Sequence, residues 1–211
     1  MSVGRTALGS RSDVLEVESV LVWRKGPTVA EGDWKLLRSE EVATYHIFRI
    51  RHDRYRLQTS GAERDFVVLV CPDWVNVVPL TADGQVVLVR QYRHGIRRPT
   101  LEIPGGMVDA GESPEEAAVR ELREETGYVP AQLKRLGRVT PNPAILDNLC
   151  YSFLAEACRL EAPPQPEPME RIEVVLRPLE EIPSLIEDES ISNSMVINAF
   201  AFLGLVPRRG R

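Results

Sequence analysis

Residues Gly106 to Tyr128 read GMVDAGESPEEAAVRELREETGY. Helix geometry sorts this stretch. Ser113 is an N-cap residue, Pro114 stands at the first helical position and Glu116 at the third, which makes a capping box. The helix runs to Thr126 and stops at Gly127, the residue type that accepts a left-handed C-terminal position. Glu121 and Glu125 are four apart, and Glu121 and Glu124 three apart, so the three carboxylates share one face. Val119 and Leu122 turn toward the other side and a core. Exposed like charges at these offsets repel by roughly a few tenths of a kcal/mol per pair, so the helix itself gains nothing from them. A divalent cation converts that repulsion into coordination, and hard carboxylate oxygens suit Mg²⁺ or Mn²⁺. Arg120, beside Glu121, can orient a carboxylate through a forked hydrogen bond. Gly105 and Gly106 let backbone approach a ligand closely.

The spacing is specific. Gly106, five residues, Glu112, seven residues, Arg120-Glu121-Leu122, one residue, Glu124-Glu125, one residue and Gly127 lead to an apolar position. This resembles the Nudix box, the signature of Nudix hydrolases. Tyr128 departs mildly from the aliphatic residue usual at the last position. With residue frequencies of roughly one in sixteen, seven of these identities, leaving out the aliphatic Leu122, arise by chance about once in a million chains of this length, so composition does not explain the match.

Composition sets bounds. The 211 residues suffice for one full domain, or one with an appendage. A hydrophobic share of 43% and a charged share of 27% are those of a globular protein. The net charge of −5 argues against an electrostatic nucleic-acid binder, though a bound metal reverses the local field for small anions. Cys71, Cys150 and Cys158 form no CxxC pair, which points away from a zinc knuckle or a disulfide framework and toward buried thiols. No apolar run approaches a membrane span and no signal peptide is read, so the expected compartment is the cytoplasm, with no membrane or nucleic-acid partner.

Along the chain, residues 1–13 read as a flexible tail. Strands are expected at Val14 to Trp23, Tyr45 to Leu57 and Arg64 to Cys71, and Trp34 to Glu41 begins a strand or turn. Residues 14–72 thus make an antiparallel β unit with too little apolar area to stand alone. It is expected to pack on the rest of the chain, on a second copy, or on both. Trp74 to Leu80 and Gln85 to Tyr92 form a hairpin marked by Asp83-Gly84. Arg93 to Arg98 is a basic turn, and Thr100 to Pro104 feeds the box. Strands follow at Leu133 to Val139, Leu149 to Ala155 and Arg171 to Leu176. A proline-rich acidic loop spans Arg159 to Met169. Helices are expected at Leu179 to Asp188, where Pro183 delays the start, and at Asn193 to Leu205, with Ile197, Phe200, Ala201 and Leu205 as its apolar stripe. The class is an α/β (α+β) sandwich, similar to the Nudix fold: a mixed sheet between helices over residues 73–207, preceded by the β unit. That unit also resembles the N-terminal portion of ADP-ribose pyrophosphatases, which in those proteins joins the dimer and helps form the substrate pocket.

The resemblance implies site residues. Glu121 and Glu125 are then direct metal ligands, Glu124 a ligand directly or through water, and the Gly105 carbonyl a further one, at a position where ADP-ribose-type members often have Ala. Glu112 either joins the ligands or braces the loop by hydrogen-bonding Arg120; Arg120 orients carboxylates more readily than it contacts phosphate. The diphosphate chemistry needs a base within reach of the attacking water. By resemblance it lies on the late loop, with Glu170 the first choice and Glu167 the second. The run VLVRQYRHG makes Arg93 a candidate phosphate contact, and Glu102 in LEIPGG falls near the same pocket. Trp34 is a candidate to stack on a base, set against a core role; Trp74 is expected in the core. His46, His52 and His94 lack ligand spacing. Pro143 follows the box by 15 residues, as in ADP-ribose pyrophosphatases, but TPNPAILDN around it departs from their Ser-Pro-Gly run.

The resemblance therefore implies a Mg²⁺-dependent pyrophosphatase (Mn²⁺ as the alternative ion) acting on a nucleoside diphosphate sugar. ADP-ribose leads, giving AMP and ribose 5-phosphate, and a homodimer is expected. Two rivals stand beside it. One is a hydrolase of nucleoside triphosphates or dinucleoside polyphosphates, which the full N-terminal unit argues against. The other is a non-catalytic nucleotide-binding module, which would be expected to lose box carboxylates that this chain retains.

Overall fold

The structure, a computed structural model, describes residues 31–165, 169 and 171–207. The tail at 1–13, the strand expected at Val14 to Trp23, and both Glu167 and Glu170 lie outside the described residues.

Strands β1 (Trp34–Thr44), β2 (Arg49–Leu57) and β3 (Glu63–Val70) form a three-stranded antiparallel sheet. The alternation read as one strand from Tyr45 breaks at a turn, closed where Tyr45 N–H donates to Phe48 O at 2.8 Å. The Tyr45 and Phe48 rings stack across it at 5.1 Å. The turn carries no Gly or Pro, so its apolar residues extend the strand pattern over it.

The second sheet has eight strands: β4 (Trp74–Thr81), β5 (Gln85–Arg93), β6 (Arg98–Glu102), β7 (Gly105–Met107), β8 (Tyr128–Val129), β9 (Gln132–Val139), β10 (Cys150–Leu160) and β11 (Ile172–Pro178). It is mixed: β4 runs parallel to β10, and the other pairs are antiparallel. Gly84, at φ 84°, closes the β4–β5 hairpin. Two cores fill the sandwich, and β4 serves both by simple alternation. Val75 and Val77 face Ala117, Ala118 and Leu122 of helix α1 (Pro114–Thr126). Val78 faces the other core, with Leu88, Leu101, Ile182, Val196 and Phe200. That second core is closed by α2 (Ile182–Glu187) and α3 (Ser194–Phe202). A 3₁₀ turn at Leu179–Glu181 precedes α2, with Pro183 in its first turn. The buried face of α3 is Val196, Ala199 and Phe200; Ala201 is exposed, because α3 tilts its stripe one residue from the expected register.

One departure from regular pairing positions the site. Strand β4 pairs with β7 at its start, over Trp74 to Asn76, and with β5 only near its end, at Leu80. Between these points β5 leaves β4 and pairs with β6 instead. The sheet splits there, and a cleft opens. Trp74 is consequently not core: it is half-buried and forms part of the cleft wall.

The loop at 141–148 joins the two sheets. Leu69 N–H donates to Ile145 O at 2.7 Å, Cys71 N–H to Asp147 Oδ1 at 3.2 Å, and Asn148 Nδ2 to Pro72 O at 2.9 Å.

Candidate active site

The cleft encloses about 340 Å³ and is lined by both sheets: Ile47 and Phe48 from the first, Trp74, Asn76, Arg93 and Glu102 from the second, with Gly105 and Gly106 as its floor.

Helix α1 is built as its sequence requires. Ser113 Oγ accepts from Glu116 N–H and Glu116 Oε2 accepts from Ser113 N–H, completing the box, and Gly127 ends the helix at φ 76°. Its three carboxylates face different surroundings. Glu125 is 4% exposed and its Oε2 accepts from Gly105 N–H at 3.0 Å. The carboxylate of Glu121 lies against the α-carbon of Gly106, so close that a β-carbon there would overlap it. The Glu124 side chain is 48% exposed.

Arg120 organises this region. Its Nε and Nη2 donate to the two oxygens of Glu112, each at 2.9 Å, and Nη2 also donates to Met107 O at 2.9 Å. Its Nη1 donates to Glu121 Oε1 at 2.8 Å and to Glu124 Oε2 at 3.3 Å. The forked bond from Arg120 holds the Glu112 carboxyl below the usual glutamate range, and the same contact raises the guanidinium. Glu112 is thereby arranged as a brace between the loop and α1.

The metal expectation can be tested on the donor set. Glu121 and Glu125 bring carboxylates to the Gly105–Gly106 backbone, at the floor of the cleft, and all these donors are hard oxygens, the chemistry that suits a divalent cation. Among the described residues, no three His, Cys, Asp or Glu side chains are gathered into one ligand cluster. The guanidinium of Arg120 bonds to both Glu121 and Glu124. The residues therefore fit a cation in kind, with Arg120 holding part of the set. Gly105 packs so tightly on the Val75 carbonyl that this backbone leaves no room for the Ala common at that position.

Across the cleft, Arg93 donates from Nε to Glu102 Oε1 at 2.9 Å and from Nη2 to Oε2 at 2.7 Å. Glu102 is 3% exposed. Burial pushes its carboxyl up, but the bonds from Arg93 and Thr100 outweigh this and leave it below the usual range. The structure thus brings Arg93, Glu102, Gly105 and Gly106 to one cleft. Trp34 and Pro143 do not line it. Trp34, 43% exposed, packs edge-on against Phe66 at 6.0 Å. Pro143 sits on the exposed turn closed by Leu146 N–H to Asn142 O at 2.8 Å. Sequence reasoning missed Asn76, Asn193 and Met195 in the lining; only the N-cap position of Asn193 gave any signal. Cys150 is also in the lining, but burial pushes its thiol up to about 12, so it is no nucleophile at neutral pH.

A box helix with two carboxylates on a glycine floor, set in a split mixed sheet, defines a class, and residues 72–198 match the NUDIX domain family. The chain belongs to that family: it is a Nudix hydrolase, and such hydrolases generally work with a divalent metal ion. It is similar to the ADP-ribose pyrophosphatase of Bacillus subtilis (strain 168), 33% identical across 81% of this chain and 92% of that one. It is also similar to the methanol dehydrogenase activator of Bacillus methanolicus, 27% identical across 81% and 92%. A crystal structure of an ADP compounds hydrolase superposes with a TM-score of 0.74 over 84% of this chain and 95% of its own, at 24% identity, which shows the fold.

Proposed function

We propose that the protein hydrolyses the diphosphate of ADP-ribose, giving AMP and ribose 5-phosphate, with Mg²⁺ as the ion and Mn²⁺ as a substitute. The observation that carries this reading is the cleft itself. It sets a carboxylate-held guanidinium, Arg93, opposite a glycine floor backed by Glu121 and Glu125. Similarity to an ADP-ribose pyrophosphatase along most of both chains supports the substrate.

When bound, a divalent cation supplies neutralisation of diphosphate charge and acidification of water. Glu121 and Glu125 hold it, with Glu124 and the Gly105 carbonyl as further donors. Arg120, braced by Glu112, keeps Glu121 and Glu124 in place, and the Gly105 N–H holds Glu125. Glu102 holds the Nε–Nη2 edge of Arg93, and the rest of the guanidinium binds the diphosphate oxygens and orients them toward the floor. Apolar walls from Phe48, Trp74 and Met195 receive the nucleoside and exclude water. Glu170, or else Glu167, accepts the proton of the attacking water. Residues 14–72 form a unit that completes the pocket and joins a homodimer. The exposed apolar side chains Leu36, Val42, Tyr45, Ile47 and Val67 on and beside its sheet support that pairing. Three free cysteines support a cytoplasmic location.

A nucleotide panel with Mg²⁺ and with chelator tests the reading. ADP-ribose should be consumed fastest, and only with metal. Preferred turnover of triphosphates or dinucleoside polyphosphates, or tight binding of ADP-ribose without turnover, would overturn it. Light scattering should give twice the chain mass; a monomer would remove the dimer.

A further inference from the structure

Glu102 is surrounded on every acceptor position. Oε1 takes Arg93 Nε at 2.9 Å and Thr100 Oγ1 at 2.6 Å; Oε2 takes Arg93 Nη2 at 2.7 Å and Asn193 Nδ2 at 2.9 Å. Three of these four donors belong to the β5–β6 hairpin. The fourth comes from 91 residues away in the chain, at the start of α3.

Asn193 uses both ends of its amide. Its Oδ1 accepts Met195 N–H at 3.0 Å and caps α3, while its Nδ2 reaches Glu102. Ser and Asp cap a helix as well as Asn does. Neither does both jobs here: Ser is too short to accept from the helix and reach the carboxylate together, and Asp has no hydrogen to give.

The consequence lies in where Arg93 points. Arg93, Glu102 and Asn193 line the cleft and also a second cavity of about 480 Å³, bounded by His94 to Ile96, Arg98 and Ser192. The guanidinium stands at the wall between the two. Its plane follows the plane of the carboxylate that grips it. Thr100 fixes that carboxylate on one oxygen and Asn193 on the other.

Resting on the reading that Arg93 binds the diphosphate, we propose that Asn193 is a positioning residue: from α3 it locks Glu102 so that the guanidinium it grips is presented to the cleft and not to the neighbouring cavity. Its amide oxygen is engaged by the α3 cap and its amide N–H by Glu102, and it sets substrate affinity through two other side chains.

The test measures kcat and KM for ADP-ribose with Mg²⁺, and melting midpoints, in Asn193→Asp, Asn193→Ser, Arg93→Ala and the double variant Arg93→Ala/Asn193→Asp. Asn193→Asp keeps the cap, removes the donor and sets a second negative charge beside Glu102. It should raise KM by about ten-fold, the scale of a lost hydrogen bond to a charged group, with kcat changed by less than about three-fold. Asn193→Ser, which loses only the donor, should raise KM by roughly half that factor. Melting should fall by only roughly 2–8 °C in both, because the cap survives and the loss is confined to the contact with Glu102. In the Arg93→Ala background, Asn193→Asp should add nothing to KM.

An unchanged KM in Arg93→Ala would overturn the diphosphate reading, and the positioning role with it. If Arg93→Ala raises KM while both Asn193 variants stay within two-fold of wild type, the reading stands and the positioning role fails. The role also fails if Asn193→Asp raises KM equally with and without Arg93, or if it lowers the melting midpoint and kcat while leaving KM alone.

Discussion

Gly106→Ala separates the site from the fold more cleanly than any change to a charged residue. Gly106 has an ordinary backbone conformation, so an alanine there meets no torsional strain. What it meets is Glu121: an added β-carbon would stand 2.5 Å from Cδ and 2.7 Å from Oε2 of that side chain. Carbon atoms rest at about 3.5 Å, so the carboxylate must retreat by about 1 Å. It can, because it is the end of a flexible side chain. The cost to the fold should be about 1–2 kcal/mol, at the low end of overpacking, which lowers the melting midpoint by roughly 2–8 °C in a chain of this size. Catalysis should be far less tolerant. On the proposal that Glu121 and Glu125 share a cation, a carboxylate displaced by about 1 Å would no longer meet it, and misplacement on that scale costs about 10²-fold in rate. Thermal melting and steady-state hydrolysis of ADP-ribose in Mg²⁺, on the same preparation, decide the matter. The expected pair is a folded protein and a kcat about a hundred-fold down. A folded variant with kcat within two-fold of wild type would refute the placement of Glu121 at the centre of the chemistry.

Glu125→Gln keeps an acceptor for the Gly105 N–H but loses the charge; kcat should fall by about two orders of magnitude or more with melting little changed, and a rate near wild type in single-turnover assays would remove Glu125 from the metal face. Arg120→Lys replaces a fork that reaches Glu112, Met107, Glu121 and Glu124 by a single ammonium. Calorimetry should show melting lowered by about 5–10 °C, from a loss of about 2–3 kcal/mol, and a drop under about 2 °C would mean that the brace carries little. The Glu102 carboxyl is held below its usual range in the folded state, so its stabilisation is present above the unfolded value and is lost as pH falls through the folded one. Melting followed from pH 7 to pH 3 should therefore drop more steeply for wild type than for Glu102→Gln below about pH 5, and parallel curves would contradict the shift.

The sequence made local structure legible and non-local structure opaque, and the divide runs through the site. Helix α1 could be read because its signals lie within one turn of its ends: the Ser113–Glu116 box and Gly127. The grouping of Glu121, Glu124 and Glu125 on one face is likewise a matter of helical pitch. Their unequal burial is not. It depends on how α1 leans when Ala117, Ala118 and Leu122 enter the core, which drives Glu125 inward and leaves Glu124 at the surface. The two glycines announced a close approach, but not that the approaching group is the protein's own carboxylate. Strands β7 and β8, of three and two residues, are too short to carry any alternation, yet β7 forms the floor.

The same divide explains why the Arg93–Glu102 pair was seen only as two neighbours of one pocket. Strand register decides it: β5 and β6 pair Val89 with Glu102 and Arg93 with Arg98, so the two partners lie on one face but four positions apart, and only long side chains reaching along the hairpin bring them together. Nothing in the linear pattern fixes that register, since the Arg93 to Arg98 turn lacks an Asn-Gly or Asp-Gly signal and bends instead through Arg97 at φ 55°. A residue other than Gly in that conformation is uncommon, and the surrounding contacts must hold it there. The tie from Asn193 to Glu102 joins the hairpin to α3 at the end of β6 away from this bend. The cleft is thus shaped by two long-range closures, the split of β4 from β5 and the tie from α3, and each depends on contacts that only the folded chain brings together.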